Sequence, residues 1–256
     1  MSAEDILSLP PPAADQRVAY GEDPNQFVDV RVPGGKGPFP ALLNIHGGFW
    51  RAKYDLVHAG HLCEALRSAG VATFNIEYRR VGNEGGGWPG SFADIRSAYN
   101  YIRQAHGRFH LDEKRVTAMG HSAGGQLALC LAGHEPSLQS AISLAGVVDL
   151  KRTFTLHLSN DAVVEFLGGT PSEVPEHYHE ADPMELRVPR ARQWLLHGTK
   201  DDTVPVSFSR DYAAAKKKTG ETVELIEVAQ AGHFDFIDPR SEAFKNVKRA
   251  VLSAVA

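Results

Sequence analysis

The sequence predicts a three-layer α/β/α sandwich with a mostly parallel central sheet and a small cap-like insertion. Two observations carry this. Short β-branched apolar runs alternate with amphipathic stretches of helical length, and most of those runs are apolar on both faces, as strands covered by helices on each side must be. A third is size: 256 residues with 43% hydrophobic content can bury one large core, so residues 1–256 read as a single domain.

In chain order, residues 1–25 form an N-terminal arm whose opening, "MSAEDILSLPPPAADQRVAYG", is acidic where a secretory leader is basic and proline-rich where it is apolar. Candidate strands follow at "FVDVRVP" (27–33), "PALLNIHGG" (40–48), "VATFNIEY" (71–78), "RVTAMGH" (115–121), "SAISLAG" (140–146), "QWLLHG" (193–198) and "TVELIEVA" (222–229). Helices are expected near 55–69, 91–105, 123–133, 206–219 and 240–254. Two stretches break the alternation. "VGNEGGGWPGS" (81–91) reads as a glycine-rich loop around Trp88. Residues 149–190 form the insertion, a cap or pocket wall, with a short helix near Asn160 to Leu167 and a solvated loop "EHYHEADP".

Composition excludes several functions. The net charge of −4 comes from interspersed charges with no basic stripe, so nucleic acid is not expected as a partner. No apolar run approaches the ~20 residues of a membrane span, so no membrane partner is expected and a cytoplasmic location is. Cys63 and Cys130 both lie in helical, core-facing stretches and read as free thiols. His177, His179, Glu180 and Asp182 lack the spacing of a metal site and read as solvated. "KKK" (216–218) reads as the solvated last turn of a helix.

The chemistry concentrates in "VTAMGHSAGG". Gly120 and Gly124 remove the Cβ clashes of a tight strand-to-helix turn and hold Ser122 out above the sheet edge, while the Ala123 amide starts the helix beside it. A helix cap in a glycine turn would need only the serine. Here partners follow in order. A serine hydroxyl needs a base and the base an orienting acid. "LLHGTKDDTVP" places Asp201 and Asp202 just past one strand, and "VAQAGHFDF" places His233 just past the next. Asp149 is a third strand-end carboxylate. His197 competes with His233, but it sits inside "WLLHG" before the turn and reads as a satisfied strand-end histidine; His121, inside the elbow, reads as a packing residue. "LLNIHGGFW" ends an early strand in two glycines, which makes Gly48 and Phe49 candidate oxyanion donors opposite Ala123. His46, Tyr78 and Arg79 read as braces for that loop, and Trp50 and Trp88 as candidate substrate-pocket residues.

The ordered set "HGGFW", "GHSAGG", "HGTKDDTVP" and "AGHFD" resembles the α/β-hydrolase superfamily over nearly the whole chain, and within it is similar to small carboxylesterases and kynurenine formamidases (arylformamidases). The resemblance implies the α/β-hydrolase fold and assigns the acid to Asp201 rather than Asp202. It gives a catalytic set of Ser122, Asp201 and His233, with an oxyanion hole of Gly48, Phe49 and Ala123. Where the hormone-sensitive-lipase-like branch has a third glycine, this chain has Phe49. The implied activity is hydrolysis of carboxylic esters, for which a compact chain with only a modest insertion over the site suggests a short acyl group, with N-formyl amide hydrolysis as the alternative. A small-molecule ester or amide is then the partner, and no metal or cofactor is required. A non-catalytic binding protein on the same fold would usually have lost a member of the set, and all are present. A homodimer is compatible with the fold.

Overall fold

The computed structural model describes residues 3–256. Among the described residues eight strands form one sheet in the order β1-β2-β4-β3-β5-β6-β7-β8: β1 (Gln16–Ala19), β2 (Phe27–Arg31), β3 (Phe39–Ile45), β4 (Ala72–Ile76), β5 (Leu111–His121), β6 (Ser140–Leu144), β7 (Arg192–Gly198) and β8 (Val223–Val228). The pairs β1/β2 and β2/β4 are antiparallel, and all others are parallel.

Helices cover both faces: α1 (Gly60–Arg67), α2 (Gly90–Gln104), α3 (Ala123–His134), α7 (Ser207–Lys218) and α8 (Ala243–Ala254), with α4 (Leu150–Thr155), α5 (Ala162–Leu167) and α6 (Pro175–Ala181) between β6 and β7. Successive strand residues point to opposite faces, and the core divides accordingly. Leu43, Ala118 and Leu195 pack with α2, α3 and α7, whereas Leu42, Met119 and Leu196 pack with α1 and α8. Helix α3 is buried from Ala123 to Ala132, which explains its small residues: it lies flat on the sheet centre and leaves no room for a polar face.

The structure departs from the sequence reading in four places. The arm contributes β1, whose alternating half-buried and exposed residues form an edge hairpin partner for β2, and a 3₁₀ helix at Ala3–Leu7. Strand β5 starts at Leu111 because Phe39 pairs there before a register shift. "EHYHEA" is helix α6 rather than loop: Pro175 presets its first turn, and Tyr178 and Ala181 are buried. Lys216 is buried and bonds the Met184 carbonyl at 3.1 Å, so only Lys217 and Lys218 face solvent. Cys63 and Cys130 are free and buried, and burial pushes the Cys63 thiol up to about 12. No helix of the described residues is long and apolar enough to cross a membrane.

Candidate active site

The carboxyl ends of β3, β5, β7 and β8 deliver four loops to one end of the sheet, where open α/β sheets form their sites. Between β5 and α3 the chain reverses at Ser122, whose φ of 56° and ψ of −121° lie outside the usual regions. Such a conformation costs about 1–3 kcal/mol and needs surroundings that enforce it. They do. The Ser122 amide donates to the Leu144 carbonyl (2.9 Å), and its carbonyl accepts from Gly125 (2.9 Å) and Val147 (3.2 Å). A Cβ on Gly120 would lie 2.0 Å from the Gly124 carbonyl oxygen, and one on Gly124 would lie 2.1 Å from that of Ile45. Both glycines are therefore dictated by backbone contact, as the sequence pattern implied.

After β3, residues 46–51 pack directly on this turn. A Cβ on Gly47 would meet the His121 carbonyl at 2.8 Å and the Ser122 Cβ at 3.0 Å. Gly48, Phe49 and Trp50 all take left-handed conformations (φ 114°, 49° and 58°). Among the described residues, no group accepts a hydrogen bond from the N–H of Gly48, Phe49 or Ala123. The loop is braced from behind. His46 bonds the Gly47 carbonyl (2.8 Å) and Glu77 Oε1 (3.1 Å), and the Tyr78 hydroxyl donates to the His46 carbonyl (3.1 Å). Burial opposes the charge on Glu77, but His46 and Arg80 hold its carboxyl below the usual range. Arg79 instead pairs with Asp94 at the start of α2.

His233 Nδ1 lies 2.8 Å from Asp201 Oδ2, both side chains being essentially buried. Asp201 Oδ1 accepts from the amides of Thr203 (2.9 Å) and Val204 (2.8 Å), and Oδ2 is also 3.2 Å from His197 Nε2. Burial disfavours the ionised Asp201, yet hydrogen bonds from His197 and His233 outweigh it and hold the carboxyl well below the usual range. The neighbouring Asp202 is exposed, and Asp149 caps α4 through the Arg152 amide (2.9 Å). His121 Nε2 donates to the His233 carbonyl (2.9 Å), fixing the backbone of that loop. His197 bonds Ser209 (2.7 Å) and the Val204 carbonyl (2.9 Å), so it supports Asp201 from behind.

Ser122 and His233 line a common cavity of about 250 Å³, together with Gly48, Phe49, Tyr54, His58, Thr203 and Phe234. The Ser122 hydroxyl makes no hydrogen bond to His233 among the described residues, a contact that commonly tightens only with substrate. Leu7 of the N-terminal 3₁₀ helix and Ser159 of the insertion complete the wall. Burial holds His58 down to about 4, so it faces the cavity neutral.

Trp50 and Trp88, expected in the substrate pocket, do not line the cavity. Trp50 is fully buried, stacked on Phe166 at 4.5 Å, with its indole N–H on Gln126 Oε1 (2.9 Å); its left-handed backbone turns the ring away from the cavity. Trp88 stacks on Phe92 at 5.2 Å and likewise lies outside the cavity lining. Leu7, His58 and Ser159 lie in no sequence motif, whereas Thr203 belongs to "HGTKDDTVP".

The pattern of the BD-FAE family matches residues 28–215, well over half of the chain. Esterase LipC of Mycobacterium tuberculosis is 26% identical over 247 residues, covering 87% of this chain; the chain spans 60% of LipC's own length. Among solved structures, a truncated carbohydrate esterase from gut microbiota superposes with a TM-score of 0.82 at 19% identity, over 96% of this chain and 99% of that one. Propionate-bound esterase Est2 of Thermogutta terrifontis gives 0.76 at 24% identity, over 94% and 93%. These likenesses show the fold, which is that of the α/β-hydrolases.

Proposed function

This chain belongs to the BD-FAE family, and on that premise we propose that it is a carboxylic ester hydrolase working through Ser122, His233 and Asp201. The observation that carries the reading is the convergence of Ser122 and the Asp201-bound His233 on one small cavity beside the uncommitted amides of Phe49 and Ala123. An ionised Asp201 accepting from Nδ1–H selects the tautomer whose Nε2 carries a lone pair. That nitrogen takes the Ser122 proton as Oγ attacks the ester carbonyl, and returns it to the leaving alcohol. Water then repeats the sequence on the acyl-enzyme.

The negative charge that develops on the carbonyl oxygen falls to the amides of Gly48, Phe49 and Ala123. Each such donor is worth about 2.7–4 kcal/mol of transition-state stabilisation. They cost no reorganisation, because the left-handed loop holds the Gly48 and Phe49 amides, and the elbow that of Ala123, in place before substrate arrives. Phe49 and a cavity of about 250 Å³ favour a short acyl group, in keeping with the propionate of the Est2 structure.

The test is kcat/KM for p-nitrophenyl acetate, p-nitrophenyl octanoate and N-formyl-L-kynurenine. Acetate is expected to be the fastest. Preference for the formamide by orders of magnitude would replace the reading with arylformamidase activity on the same residues, and turnover of none in folded protein would overturn it.

A further inference from the structure

The structure assigns to Arg51 a role outside the catalytic set: it is a positioning residue that holds the insertion's pocket-lining turn against the oxyanion loop, and so sets which acyl lengths the cavity admits. This inference rests on the esterase reading above. Arg51 directly follows the left-handed residues 48–50, and its backbone is a fixed reference. Its amide donates to the Gly48 carbonyl (3.1 Å), and on either side Val81 N–H donates to the Trp50 carbonyl (2.8 Å) and Ala52 N–H to the Val81 carbonyl (2.9 Å).

From there the guanidinium crosses to the insertion. Nε and Nη2 grip the two carboxylate oxygens of Glu165, each at 2.8 Å; Nη1 donates to Ser159 Oγ (3.1 Å) and Nη2 to the Asn160 carbonyl (3.3 Å). The segment it reaches needs an external tie. His157, Ser159, Asn160 and Asp161 all have φ between 51° and 56°, a conformation that His, Asn and Asp tolerate but that Ser159 holds only with support from its surroundings. Ser159 is the residue through which the insertion lines the described cavity. Arg51 thus links the proposed oxyanion donors to the insertion's part of the cavity wall.

A purely stabilising role fits poorly. Arg51 retains 26% and Glu165 47% of side-chain exposure, and ion pairs in such surroundings contribute little to folding. What the planar fork supplies is direction, two parallel bonds that a lysine ammonium cannot reproduce.

The experiment compares wild type with Arg51→Ala, Arg51→Lys and Glu165→Gln, measuring melting temperature and kcat/KM for p-nitrophenyl acetate and octanoate. Releasing the turn opens the wall, so the octanoate-to-acetate ratio is expected to rise about fivefold or more in Arg51→Ala, the scale on which apolar pockets discriminate chain length. Arg51→Lys should follow it, and Glu165→Gln, which keeps one acceptor, should fall between. An unmoved ratio in folded variants, or equal proportional loss on both esters, overturns the inference while leaving the esterase reading intact. If Arg51→Ala does not fold, the two milder variants decide. A wild type inactive on both esters overturns the esterase reading and this inference with it.

Discussion

The two ends of the sheet carry clefts of opposite character. At the amino ends of β3 and β5, Lys36, His106, His110, Glu113 and Lys114 border a cleft of about 590 Å³, more than twice the volume at the carboxyl end. Its charges are solvated: His106 and Glu113 keep 42% and 65% of their side-chain exposure and stand 3.8 Å apart. At the carboxyl end the side chains of Ser122, His233 and Asp201 are buried, His233 is bonded to Asp201, and residues 48–50 and Ser122 take left-handed backbone conformations. Volume does not mark a site; buried polar groups held in conformations that cost free energy do.

The sharpest way to break the contrast is to remove the nucleophile. Ser122→Ala is expected to lower kcat/KM on p-nitrophenyl acetate by about a million-fold, the scale of triad-serine removal, while His106→Ala at the opposite cleft changes it within assay error. Next in size is Asp201→Asn, expected to lower kcat by about 10⁴-fold through the wrong histidine tautomer. Asp202→Asn beside it should leave kcat unchanged, and equal effects in steady-state assays would refute the assignment of the acid.

Gly124→Ala tests whether the rim is built by backbone contact. A Cβ 2.1 Å from the Ile45 carbonyl oxygen must push β3 from the elbow, so both melting temperature and activity should fall, with a loss of several kcal/mol in chemical denaturation. Gly107→Ala at the other end, with open space around its Cβ, should cost less than about 1 kcal/mol.

The smallest effect concerns Asp182, which holds two parts of the insertion together by accepting from the amides of Leu150 (2.9 Å) and Met184 (3.1 Å). Burial, with Asp149 nearby, raises its carboxyl to about 7. Because the folded state then holds a proton that the unfolded chain releases near its ordinary value, stability falls as pH rises between those two values and levels off above about 7. Asp182→Asn should flatten that slope in thermal melts from pH 5 to 8; an unchanged slope would show that Asp182 does not titrate there.

What the sequence disclosed and what it hid divide along the same line. Ser122, Asp201 and His233 were legible because each sits a short step past a strand, where an apolar run ends at the carboxyl edge of the sheet. Gly120 and Gly124 were legible because backbone contact admits nothing larger. The walls were not. Leu7 reaches the cavity because Ile6 is buried in the same cluster as Phe236 and Ile237, just beyond His233, and Ser159 because of Arg51; neither relation has a sequence period. Trp50 misled for a related reason: an aromatic beside the oxyanion loop invites a pocket role, but its φ of 58° aims the ring into the core. Helix α6 was hidden because its charged residues mask the two positions, Tyr178 and Ala181, that bury it.

The proposed reaction requires Ser122 to be the nucleophile activated by His233 and Asp201. Its most direct test is mass spectrometry of the intact and digested protein after treatment with a fluorophosphonate. A single adduct on the peptide carrying Ser122, formed more slowly in Asp201→Asn and absent in Ser122→Ala, is the expected result. No adduct on the folded protein, or an adduct on a different residue, would contradict it.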